Sequence, residues 1–306
     1  MKRILPVIVS LMIARPLAVC SAVNEQTFTE TINGTTFSCK VSSGTKAVIT
    51  ECSSDMEEII IPSSLGGYAI TSIGEKAFFG KVMLTSVIIP EGITYIGDNA
   101  FSGCLSLESV ELPETLTYMG DECFTSCTSL KYVKLSSSLR TLPDRCFSSC
   151  TALDNIEIPD SVKSIGDEVF FGCSDISDIF IPPTVETIGE NALGMYYNIR
   201  NNGIEKIKNF RIRGLPDTSA STYAIDTGVE IYNKSGDVDY NGFIDAIDAS
   251  LVLSEYSLLS TNEKGLFDKY QQYVGDYNRD GIVDAVDSAV ILQEYARLQT
   301  LLTNEN

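Results

Sequence analysis

Histidine is absent from the 306 residues, and so is tryptophan. Without histidine the chain has no imidazole to activate a nucleophile, to shuttle protons near neutral pH or to ligate zinc. Without tryptophan it lacks the broadest aromatic platform for sugars and cations, which disfavours a glycosidase or sugar-binding module without forbidding one. Basic residues are also scarce: 22 Lys and Arg stand against 41 Asp and Glu, a formal charge of -19. A partner held through its phosphates needs a basic face, so nucleic acid is excluded as a ligand class. Long apolar runs are missing too. The run Ile4–Ala14 is too short to cross a bilayer and is closed by Arg15-Pro16.

What is present is periodic. Segments beginning at Leu84 (LTSVIIPEGITYIGDNAFSGCLS), Leu107, Leu130, Leu153 and Ile176 repeat every 23 residues without a gap. A longer first copy begins at Met56, with an insertion around Gly66 to Ile70. Val87, Val110, Val133, Ile156 and Ile179 form one column, and Ile89, Leu112, Leu135, Ile158 and Ile181 another two residues on. Apolar residues at period two predict a short strand with one buried face. Pro90, Pro113, Pro159 and Pro182 stop that strand, because proline cannot donate to a ladder. A second apolar pair follows (Ile93 and Ile96, Val162 and Ile165), and Gly97 or Gly166 then permits a turn. A phenylalanine column, Phe78, Phe101, Phe124, Phe147 and Phe170, closes each rung from the other side. One rung cannot bury its own apolar side, so the rungs must stack into a solenoid. Phe28 to Ser54 is expected to cap one end with short strands. A strand–helix–strand over 210–214, 218–226 and 229–232 is expected to cap the other.

This LxxVxIPxxIxxIGxxAFxxC register resembles the BspA-like leucine-rich repeats of bacterial surface and secreted proteins, over roughly residues 56 to 232. The resemblance implies adhesion or protein binding. Residues flanking the buried strand positions point outward, and Ile88, Tyr132 and Phe180 are the candidate ligand contacts on that face. Isolated exposed apolar residues are also ordinary surface.

Nine cysteines invite a metal or disulfide reading. Cys123-x3-Cys127 and Cys146-x3-Cys150 have the look of a four-thiolate zinc site. The repeat register favours a buried column instead, since Cys104, Cys127, Cys150 and Cys173 recur at 23 residues and Cys123 and Cys146 share a column with Ala77, Ala100 and Ala192. Disulfides between neighbouring rungs are feasible, and Cys39–Cys52 in the first cap is the leading pair.

After Tyr232 the period changes. Asp237, Asp239, Asn241, Phe243, Asp245 and Asp248 fall at positions 1, 3, 5, 7, 9 and 12 of a loop with Gly242 at position 6. Asp276, Asn278, Asp280, Ile282, Asp284 and Asp287 repeat the spacing 39 residues later, with Gly281 at position 6. Side-chain oxygens plus the carbonyls of Phe243 and Ile282 make the ligand set of an EF-hand-like loop, and two Ca2+ are the expected ions. Asp/Asn/Gly-rich segments also form plain turns. The duplication, each copy running into an apolar helical stretch, favours the metal reading.

Position 12 is Asp in both copies, and Lys234-Ser235-Gly236 leaves no room for a helix before the first loop. Both features resemble a dockerin, the module that plugs proteins into cohesins on a cellulosomal scaffold. The resemblance runs from Gly236 to about Thr300 and implies cohesin contacts at loop positions 10 and 11: Ala246, Ile247, Ala285 and Val286. The alternative for Ile247 and Val286 is module core.

The N-terminus has the parts of a secretory signal peptide: Met1-Lys2-Arg3, a short apolar run and small residues at Cys20-Ser21-Ala22, with cleavage expected after Ala22. Leu17 to Cys20 resembles a lipobox, with Val19 departing from it, so a lipid on Cys20 is the alternative. The expected fold is an α+β leucine-rich-repeat solenoid followed by a small all-α dockerin: residues 1–22 signal, 23–233 repeats with caps, 234–306 dockerin. The expected function is a secreted, non-enzymatic binding subunit with a cohesin as one partner and a protein or polysaccharide surface as the other. Two other readings are carried. One is a dockerin-borne polysaccharide-degrading enzyme using Glu111 and Glu157, and the other is a spacer with no ligand beyond cohesin.

Overall fold

The computed structural model describes residues 26–232, 234–241 and 243–304. The signal segment, its cleavage point and Cys20 lie outside the described residues, as does Gly242.

Strands Thr27–Ile32, Thr35–Ser43 and Lys46–Ser53 form the first cap as an antiparallel meander. Asn33 and Gly34 both adopt positive φ at the first hairpin, the geometry that matches a two-residue loop to strand twist. The last of these strands pairs in parallel with Tyr68–Ile73 and hands the chain to the solenoid. Cys39 and Cys52 are buried free thiols here, and the expected bridge is absent. The register sets Cys39 opposite Ile49 and Cys52 opposite Phe37, so the two are not cross-strand partners.

Each rung contributes two short strands. The first sheet stacks Glu58–Ile60, Ser86–Ile88, Ser109–Glu111, Tyr132–Lys134 and Asn155–Ile156 in parallel, in one-rung steps such as Tyr132 opposite Ser109. The second residue of the later apolar pair also ends a strand of two residues, too short for period-two patterning to show. Tyr68–Ile73, Tyr95–Ile96 and Tyr118–Met119 stack as one group, and Thr141–Leu142, Ser164–Ile165 and Thr187–Ile188 as another.

The rung glycines serve a different purpose from the one expected. A Cβ on Gly97 would lie 2.7 Å from the Glu75 nitrogen, and one on Gly120 2.6 Å from the Gly97 carbonyl carbon. Glycine is therefore needed for close approach of one rung to the next. The left-handed residue of the turn falls two positions later, at Asn99, Glu122, Arg145, Glu168 and Asn191, with φ of 53 to 57°. Pairs of rungs hold these turns through amide-to-carbonyl bonds such as Phe101 to Cys123 and Phe124 to Cys146.

The core is a set of ladders. Phe78, Phe101, Phe124, Phe147 and Phe170 are buried and stack with centroids 4.9 to 5.8 Å apart. The Cys104, Cys127, Cys150 and Cys173 thiols donate to the carbonyls of Phe78, Phe101, Phe124 and Phe147 at 3.1 to 3.3 Å. Burial pushes the Cys52 thiol up to about 11 and, with Glu30 adding to it, Cys39 likewise. Burial drives Cys123, Cys146 and Cys173 up as well. A thiolate is the reactive species, so the native protein should leave all eight described cysteines unlabelled by a disulfide reagent at pH 8. Full labelling is expected in guanidinium; rapid native labelling, or thiols missing after unfolding, would contradict this assignment.

At the far end, a hairpin of Met195–Asn198 and Gly203–Lys206 interrupts the period, a feature not anticipated. The expected strand–helix–strand follows: Arg211–Arg213, α1 (Ser219–Thr227) and Glu230–Tyr232. Arg211–Arg213 pairs in parallel with Asp178–Phe180 on one side and with Glu230–Tyr232 on the other, making a three-stranded sheet. Three more helices complete the chain: α2 (Ala246–Ser260), α3 (Lys269–Gly275) and α4 (Ala285–Asn304). No helix among the described residues is long and apolar enough to cross a membrane.

Candidate functional site: two acidic loops and the repeat surface

Asp245 begins α2 as a reciprocal capping box. Its carboxylate accepts from the Ile247 amide at 2.6 Å, and the Asp248 carboxylate accepts from the Asp245 amide at 2.8 Å. The other Asp248 oxygen accepts from the Val238 and Asp239 amides at 2.8 and 3.3 Å, which ties the two ends of the loop together. Asp248 is fully buried, and burial raises its carboxyl above the usual range against the pull of those amides. Asp237 is likewise buried and accepts from the Tyr232 hydroxyl at 2.8 Å. Oxygens of Asp237, Asp239 and Asp248 all lie within 4.8 Å of one another, the one such three-carboxylate group among the described residues.

The second loop reproduces the main bonds of this frame, although Asp276 accepts from the Asp280 and Gly281 amides where Asp237 accepts from a tyrosine hydroxyl. Asp287 accepts from the Asn278 and Asp284 amides, Asp284 from Val286, and Asp280 from Ile282. In the first loop Asn241 accepts from Phe243 in the same register. Position 4 is left-handed in both, with Tyr240 and Arg279 at φ 62°. The donor set is oxygen throughout, which suits a hard divalent cation and not a thiolate- or imidazole-seeking metal. Residues 237, 239, 241, 243, 245 and 248, and their counterparts 276, 278, 280, 282, 284 and 287, are those that could hold such ions.

α2 and α4 pack around Ala249, Val252 and Ile291, with the buried Ser288 hydroxyl donating to the Ala249 carbonyl at 2.9 Å. Buried Glu255 accepts from the Leu266 and Phe267 amides and pins the connection between α2 and α3, a role its position near the end of an apolar stretch did not signal. Ala246, Ile247, Ala285 and Val286 are all exposed, with Ile247 56% and Val286 54% accessible. The module-core alternative for Ile247 and Val286 is thereby removed. Phe243 and Ile282 are exposed beside them, so each loop presents a matching apolar pair.

On the first sheet Ile88 and Tyr132 stand exposed as expected, but Phe180, on the neighbouring three-stranded sheet, does not. It is 7% accessible and packs against Tyr270 and Tyr273 of α3, at ring distances of 5.3 and 5.6 Å. α3 lies on the end of the repeat array. Lys269 donates to the Ile158 carbonyl and pairs with Asp160 at 3.0 Å, Tyr273 donates to Asp160, and Arg213 bridges Asp178 and Asp268. Strand alternation tells which side chains leave the sheet, not which of them another unit covers. Glu111 and Glu157 are exposed, with the Tyr132–Lys134 strand between their rungs, and Glu157 sits 3.9 Å from Lys269 and lines a depression of about 460 Å³ between the first sheet and α3 that Glu111 does not reach. No cleft encloses the pair among the described residues, so the geometry a glycosidase requires is not assembled there.

A parallel solenoid whose rungs share phenylalanine and cysteine ladders defines a leucine-rich-repeat architecture. Residues 71–201 match the model of the BspA type leucine rich repeat region in six copies, and this region carries repeats of that type. Among solved structures, a leucine-rich-repeat protein of T. pallidum is 23% identical, with a TM-score of 0.50 over 64% of this chain and 95% of its own. A leucine-rich-repeat protein of Eubacterium ventriosum is 21% identical at a TM-score of 0.47 over 62% of this chain, which spans about half, 48%, of that protein. A leucine rich cell surface protein of Faecalibacterium prausnitzii is 18% identical at a TM-score of 0.32, covering 61% and 70% of the two chains. The T. pallidum likeness is one of fold. No curated protein matches the chain.

Proposed function

We propose that this protein is a secreted, non-catalytic binding subunit in two parts, with the boundary at residues 233–234. The repeat domain engages a protein or polysaccharide surface. The C-terminal unit takes up two calcium ions and docks, as a dockerin, into a cohesin of a scaffold protein. The observation that supports this reading is the duplicated loop frame, in which a buried position-12 aspartate gathers the amides of its own loop while positions 10 and 11 face solvent. Four aspartates in each loop repel one another at short range, and a bound cation relieves that repulsion. Once bound, calcium supplies charge neutralisation, and the chain's own carboxylates and capping boxes then hold α2 and α4 with Ile247 and Val286 displayed.

Calorimetric titration of the full chain with calcium is expected to show about two ions bound per chain. Binding to an array of cohesins should appear with calcium and vanish with chelator. Absence of any calcium heat, together with cohesin binding insensitive to chelator or absent altogether, would defeat the proposal.

A further inference from the structure

The repeat is broken at one place. Gly97, Gly120, Gly166 and Gly189 each donate an amide at 2.8 Å to the rung before, to the carbonyls of Ile73, Ile96, Leu142 and Ile165. Pro143 occupies this column in the rung between and has no N–H to offer the Met119 carbonyl. The second sheet divides at that point, between Tyr118–Met119 and Thr141–Leu142. A depression of about 370 Å³ lies over the division.

The surface column running through it changes character at the same place. Tyr95 and Tyr118 stack with centroids 4.8 Å apart and planes within 1°. The column then continues as Thr141, Ser164 and Thr187. Tyr95 covers one face of the Tyr118 ring. Thr141, the small next residue of the column, lines the depression with Tyr118, which remains 49% accessible. Asp121 and Asp144 line the depression, as do Arg140 and the hydroxyl-bearing Thr141 and Ser164. Asp121 is exposed, and partial desolvation followed by the charges of Asp144 and Asp98 pushes its carboxyl up from its ordinary range.

We propose that this groove is a carbohydrate subsite, in which a pyranose ring lies on the free face of Tyr118 and its hydroxyls bond to Asp121, Asp144, Arg140 and Thr141. An aromatic face receives the apolar C–H side of a sugar, and convergent polar groups set its orientation. The mixed charge favours this class. A cationic side chain would meet Arg140 in the same groove, whereas a sugar uses carboxylate acceptors and guanidinium donors together. The hydroxyl column beyond Thr141 extends the track along the solenoid at about one rung spacing, roughly 4.8 Å. This deepens the binding role assigned to the repeat domain but moves it off the first sheet, and it does not depend on calcium or cohesin.

The test is affinity electrophoresis and calorimetry of the full chain against β-1,4-linked gluco-, xylo- and manno-hexasaccharides. At least one should bind. Tyr118→Ala should weaken that binding about tenfold, ~1.4 kcal/mol, and Tyr197→Ala, an exposed tyrosine elsewhere, should not. Pro143→Gly is the second variant. It removes none of the proposed contacts, restores the amide donor and should close the groove, so binding should fall while thermal stability is kept or raised. Cohesin docking should be unchanged in both, which separates failure here from failure of the docking role. No binding by any of the three saccharides, or binding that survives both changes, would overturn the proposal. Tyr118-dependent binding of a decalysine peptide without any saccharide binding would overturn it as well, by giving the groove to a cationic partner.

Discussion

Replacing Asp248 with alanine is expected to reduce the calcium stoichiometry of the protein from about two ions to about one and to abolish docking that requires the first loop. The side chain has two roles that fail together. It is the position-12 oxygen donor of the proposed ion site, and it is the acceptor for the Val238, Asp239 and Asp245 amides. Val238 is buried, so its amide gains no water in exchange. Each lost bond to a charged acceptor costs about 1.5–3 kcal/mol, enough to unfold a small loop even before the ion is considered. Asp248→Asn separates the two roles in part. Its one carbonyl oxygen can still accept from the Val238 and Asp239 amides, the contact from Asp245 is given up and the charge is removed, so most of the helix signal in circular dichroism should persist while calcium affinity at that loop falls. Asp287→Ala should act in the same way on the second loop, because Asp287 holds the Asn278 and Asp284 amides. Two ions bound with unaltered heats in Asp248→Ala would remove the aspartate from the site.

The second large effect is expected in the repeat core. Phe124→Ala should destabilise the solenoid by about 3–5 kcal/mol, measured by guanidinium unfolding of the full chain. Phe124 is fully buried between Phe101 at 5.1 Å and Phe147 at 5.7 Å. Truncation opens a cavity that touches both neighbouring rungs, and solenoid stability resides in those rung-to-rung interfaces. The rung cannot collapse inward, since the thiol of Cys150 and the amide of Phe124 fix the turn to its neighbours. Phe79→Ala, one residue beyond the same ladder in an earlier rung and 54% accessible, should cost less than about 0.5 kcal/mol. A Phe124→Ala protein within about 1 kcal/mol of the parent would show that the ladder is not the stabilising element claimed here.

Several features were legible in the sequence because one residue type at a fixed spacing admits few packings. The buried valine and isoleucine columns, the phenylalanine ladder and the thiol column all lie where the 23-residue register puts them. The closing strand–helix–strand also falls within a few residues of the expected bounds. Three expectations changed for physical reasons. Cys39 and Cys52 are both inward-facing on neighbouring strands, but register, not direction, decides whether two thiols meet. The sequence suggests a turn at Gly97 and its equivalents, yet a glycine demanded by positive φ and one demanded by a neighbouring backbone look alike in a sequence. Phe180 leaves its strand on the outward side as alternation requires, and is buried all the same by helix α3, some ninety residues later in the chain.

By itself the sequence determined the stacking period, the identity of the core columns, and the duplicated acidic spacing, because each is a local pattern that repeats. Only the tertiary structure decided which of the outward-facing residues remain free, how the C-terminal unit seats on the last rungs through Lys269, Tyr273 and Arg213, and what Pro143 does to the second sheet. Those are relations between segments far apart in the chain, set by shape and by hydrogen bonds made or forgone, and no spacing rule carries them. A single proline in a glycine column is a minor substitution in the register. In three dimensions it is a missing donor, and the missing donor opens a groove beside an aromatic ring.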